Sequence, residues 1–121
     1  VELPLTMMQD HTMFEILREP GIDRWVEKAD WITRHHGLVN LNVHPDYVVE
    51  QRYLDRYEAF LEYLAERRDG TWHALPRDAA RWWREREALC VTADGEVRGQ
   101  SHERATVAFA REHEGHLVID L

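Results

Sequence analysis

Three times between Ile22 and residue 86 the apolar side chains of this chain recur at helical spacing, and one alternating segment, "LVNLNVHPDY" (38–47), interrupts them. Val39, Leu41 and Val43 share one face of that segment, while Asn40, Asn42 and His44 share the other. The first helical stretch places Ile22, Trp25, Val26, Ala29 and Ile32 on one stripe and stops at Gly37. The second carries Val49, Tyr53, Tyr57, Phe60, Leu61 and Leu64 and ends near Asp69-Gly70. A third, "PRDAARWWRER", opens on Pro76, a residue suited to a first helical turn, with one of Trp82 and Trp83 expected in a core. Helix, tight glycine stop and alternating strand make an αβ unit.

Ahead of it, "VELPLTMM" (1–8) reads as an edge strand or entering loop broken by Pro4, followed by a short helix over Met13–Leu17 capped by Asp10 or Thr12. "TWHAL" (71–75) reads as a short strand. From residue 87 the periodicity becomes alternating. Asp94-Gly95 signals a two-residue hairpin, and Glu114-Gly115 a second one with Val107 and Phe109 facing Leu117, Ile119 and Leu121. The expected organisation is an α/β segment over residues 1–86 and a β-hairpin appendage over 87–121.

With 121 residues, 44% hydrophobic and 31% charged, the chain has the composition of an ordinary globular domain. Its net charge of −8 argues against nucleic acid as a partner, because phosphate contacts need a basic surface. No apolar run approaches the ~20 residues of a membrane span, and no signal peptide is visible. Lone Cys90 excludes an internal disulfide and a cysteine zinc cage, and fits a reducing compartment, so a cytoplasmic protein is expected.

Among candidate functional residues, His44 stands first. It closes an alternating segment in an αβ setting, where ligands collect at strand C-termini, and it shares its face with Asn40 and Asn42. Asp10 and His11 occupy another strand-to-helix junction, although capping accounts for Asp10 more simply. Trp72 precedes a third junction and is a candidate sugar-stacking wall. His35 and His36 suit the last turn of a helix, and His102, His113 and His116 read as solvated hairpin residues. No phosphate-binding glycine loop, nucleophile elbow or His-Glu-x-x-His zinc motif is present.

The segments "LPLTMMQDHTMFEIL", "GLVNLNVHPDY", "YEAFLEYLAERRDGTWHALPRDAARWW" and "RATVAFAREHEGHLVI" together resemble the C-terminal part of the polysaccharide deacetylase family, the NodB-homology or carbohydrate esterase family four group. The resemblance implies the end of a distorted (β/α)7 barrel and hydrolysis of an N-acetyl group on a carbohydrate substrate. It also implies a divalent metal, commonly zinc, in the complete protein. Asn42-Val43-His44 matches the family's last motif, Leu-x-His, whose histidine protonates the leaving amine; His44 would be that general acid. Asn40, Asn42, Asp10, His11 and Trp72 would line the substrate cleft. The family's Asp-Asp and His-x-x-x-His motifs, which supply the base and the metal ligands, lie upstream of the matched part and have no counterpart here, so this segment alone is not expected to bind metal or be active. The expected partners are a carbohydrate substrate and the remainder of the barrel or a second copy of the chain. The alternative is a non-catalytic module whose hairpins and tryptophans dock a partner across strand edges.

Overall fold

The computed structural model describes residues 1–120, and its chain divides into two compact units, residues 2–73 and residues 74 onward. In the first, α1 (Asp23–Arg34) and α2 (Gln51–Ala65) form where the apolar stripes place them. Trp25, Ala29 and Ile32 of α1 and Tyr53 and Phe60 of α2 are buried, whereas Val49 precedes α2 and is exposed. The Trp25 and Phe60 rings meet at 5.2 Å, and Phe14 stacks on Tyr53 at 4.7 Å. Met7 and Met13 complete this core, and the Trp25 indole N–H donates to the Met8 carbonyl. Phe14, Trp25, Tyr53 and Phe60 thus make the aromatic part of one core.

The termination of α1 differs in detail from expectation. His36, not Gly37, takes the left-handed position (φ 54°), and the Gly37 N–H donates to the Ile32 carbonyl at 2.9 Å. Glycine is required at 37 for space, since a Cβ there would lie 2.9 Å from Ile32 Cγ2.

The short helix expected over Met13–Leu17 is a wide π-type turn at Thr12–Ile16, closed by the Leu17 N–H on the Thr12 carbonyl. Neither Asp10 nor Thr12 caps it through its side chain.

Residues 38–44 are not a sheet strand. They run unladdered beside residues 3–7, and three features explain why. Pro4 has no N–H to donate. The Asn40 carbonyl takes both the Thr6 and Met7 N–H groups, and the Asn40 N–H donates to the Thr6 hydroxyl rather than to a carbonyl. Side chains therefore replace the repeating backbone ladder. The alternation survives on one side, where Val39 and Leu41 pack against the core.

In the second unit, α3 (Pro76–Glu87) starts on its proline but buries no side chain. Trp82 and Trp83 are both exposed, with ring centroids 6.0 Å apart and Arg86 over each, so neither enters a core. The stretch 71–75 is not a strand. β1 (Cys90–Val91) pairs with β2 (Val97–Arg98) through a three-residue turn rather than a two-residue one. Thr92 N–H donates to the Glu96 carbonyl, Gly95 N–H donates to the Thr92 carbonyl, and Gly95 sits at φ 83°. A short 3₁₀ turn, His102–Arg104, leads to β3 (Phe109–His113), which pairs with β4 (His116–Asp120) across Glu114-Gly115. That turn sets Phe109 opposite Asp120 and Ala110 opposite Ile119, so Phe109 shares a face with Val118 and not with Leu117 and Ile119. Leu121, expected on that face, lies outside the described residues. The fold is mixed: helices with two small antiparallel hairpins. No helix among the described residues is long and apolar enough to cross a membrane.

Candidate functional site

Asp10 is the one charged residue among the fully enclosed side chains of the first unit, with 0% exposure. Burying a carboxylate demands hydrogen bonds to replace its water, and here they come from two chain segments. One carboxylate oxygen, Oδ1, accepts the His11 backbone N–H at 2.8 Å and lies 2.7 Å from His44 Nδ1. The other, Oδ2, accepts the His44 backbone N–H at 2.7 Å. Asp10 thus grips His44 twice, by backbone and by ring, across 34 residues of sequence.

A carboxylate offers only acceptors, so His44 Nδ1 carries the proton in this bond. The ring's other nitrogen, Nε2, is left to gain or lose the exchangeable proton. The His44 side chain is 38% exposed, so the ring reaches solvent while Nδ1 stays anchored on a buried group. Asn42 Nδ2 stands 3.5 Å from Nε2, at the outer limit of a hydrogen bond.

Tyr47 packs against both imidazoles of the site. Tyr47 meets His44 edge-on, with centroids 5.6 Å apart and planes at 89°, and it tilts against His11 at 5.4 Å. Tyr47 was not singled out by the sequence pattern. The readable signal was His44-Pro45-Asp46-Tyr47, a turn with proline at its second position, which returns residue i+3 to residue i. The Tyr47 N–H closes it on the His44 carbonyl at 3.1 Å.

The structure therefore brings together Asp10, His11, Asn42, His44 and Tyr47. It sends Asn40 elsewhere: the Asn40 amide donates to the Pro4 carbonyl at 3.0 Å and ties residues 38–40 to the N-terminal segment. Trp72 lies in the stretch after α2 and is exposed. Asp10 turns both its oxygens onto His11 and His44. Among the described residues no three His, Cys, Asp or Glu side chains converge to hold a metal ion.

Comparison with family models, with curated proteins and with solved structures gives no match to this chain.

Proposed function

We propose that this chain is the C-terminal segment of a polysaccharide deacetylase-like hydrolase that cleaves an amide, such as an N-acetyl group, on a carbohydrate-type substrate. In this reading His44 is the general acid that protonates the departing amine. The observation that carries it is the double grip of buried Asp10 on His44, which holds the ring with Nδ1 protonated and Nε2 open. A group that must deliver a proton in one direction needs such an orienting partner on its second nitrogen. Asn42, beside Nε2, and His11, against Tyr47, would meet the substrate, whereas Asp10 holds the acid in place.

The divalent metal of this reading finds no ligand set among the residues described here. Its ligands would come from barrel strands outside this sequence, and the contribution of this chain is the proton donor and its support.

The test is turnover of an N-acetylated oligosaccharide by the complete barrel protein carrying His44→Ala. Turnover is expected to fall by about 10²–10⁴-fold while bound metal is unchanged. Undiminished turnover overturns the assignment.

A further inference from the structure

The β3–β4 hairpin lies open to solvent over almost its whole length, with Leu117 73% and Ile119 62% exposed. A two-stranded ribbon by itself is marginal in water, and among the described residues no strand pairs with the outer edge of β4. We propose that this edge pairs with β4 of a second copy of the chain, antiparallel about Val118, giving a four-stranded sheet with the two β4 strands at its centre.

The register follows from the hairpin turn. A two-residue turn closes on a hydrogen-bonded pair, here His113 with His116, so residues 116, 118 and 120 bond inward to β3. The backbone groups of Leu117 and Ile119 then point to the free edge. Antiparallel pairing about Val118 sets Leu117 opposite Ile119 of the second copy, twice, with both outward-pointing residues bonded on each strand. Moving the centre to Leu117 or Ile119 leaves one of those two residues without its counterpart.

The side chains agree with this register. His116 falls opposite Asp120, whose carboxylate also pairs with Arg111 across its own hairpin, at a close, non-hydrogen-bonded position. Val118 falls opposite itself, and Leu117 and Ile119 of both copies form one apolar strip on a single face. The edge of β3 has no such complementarity. Pairing it with itself places Arg111 against Arg111 with no opposite charge gained, since each already pairs with Asp120 of its own hairpin. The contact is isologous and closes at two copies.

The intact chain should therefore show twice its monomer mass by light scattering at micromolar concentration. Replacing His116→Glu sets like charges opposite one another and should weaken the dimer by about tenfold in dissociation constant. His116→Lys, which keeps a cation opposite Asp120 and leaves the Arg111–Asp120 pair of each hairpin intact, should preserve it. In a Cys90→Ser background, Val118→Cys should oxidise to an intermolecular disulfide, because the two positions face each other at bridging distance. Leu117→Cys, whose counterpart is Ile119, should cross-link more than tenfold more slowly. A monomer at all accessible concentrations overturns the proposal. So does a dimer that ignores His116→Glu, or one that cross-links at 117 in preference to 118.

Discussion

At the scale of single residues, the decisive feature is a fully buried carboxylate answered by three donors, two of them backbone N–H groups. Replacing Asp10→Ala leaves these partly buried donors without their acceptor. The expected cost is about 2–4 kcal/mol, read from urea unfolding. Asp10→Asn keeps the shape but turns an amide donor toward one of the groups that need an acceptor, so it too should destabilise, and in the hydrolase proposed above it should slow turnover at least about tenfold through misorientation of His44. His44 was legible in the sequence because alternation and a following proline isolate it at the end of an apolar segment. Its partner was not, since nothing in a linear pattern connects positions 34 residues apart, and Asp10 in front of a short helix has the simpler reading of a cap. Asn40 misled for a related reason: alternation reports which side a residue faces, not whether that side meets a cleft or the neighbouring backbone.

The elements divide by how much of their pattern is local. Both stripes that became α1 and α2 were readable because burial of one face dictates the spacing, and Phe60→Ala should cost about 3–5 kcal/mol. The same periodicity in α3 found no core, because a stripe states what a helix could bury and not what stands opposite. The segment 38–44 had strand chemistry, yet the segment beside it has a proline where a ladder needs a donor and a threonine hydroxyl where it needs a carbonyl acceptor. Turn chemistry was read in the right places, with lengths and faces settled by the geometry of each turn. Glu114 adopts φ 52°, a conformation costly for a residue other than glycine or asparagine. Glu114→Asn should therefore stabilise the β3–β4 hairpin by about 0.5–1 kcal/mol, measured by slowed amide exchange in its strands.

Over the whole molecule, every buried apolar side chain among the described residues lies between Met7 and Phe60. Amide exchange should accordingly be slowest in α1 and α2 and fast in β1 and β2. Two phenols in that region add a pH dependence. The Tyr53 hydroxyl donates to Glu15, and that bond together with burial raises its pKa above the usual 10; burial, and then the bond to Asp30, raises Tyr63 likewise. Groups held neutral in this way stabilise the fold fully below pH 10, and the contribution disappears as pH rises through the raised native values. Tyrosinate absorbance should lag that of the unfolded chain above pH 10 and rise with the loss of helical signal.

Asp10 fixes the His44 proton on Nδ1 and leaves Nε2 to exchange it. Nitrogen-15 NMR of the imidazoles through a pH titration reads this proton directly. Neutral His44 should be the Nδ1–H tautomer, protonation should add at Nε2, and Asp10→Ala, which removes the acceptor, should abolish this preference while His73 and His113 are unaffected. A neutral His44 protonated on Nε2, or a tautomer balance indifferent to Asp10→Ala, would overturn the assignment.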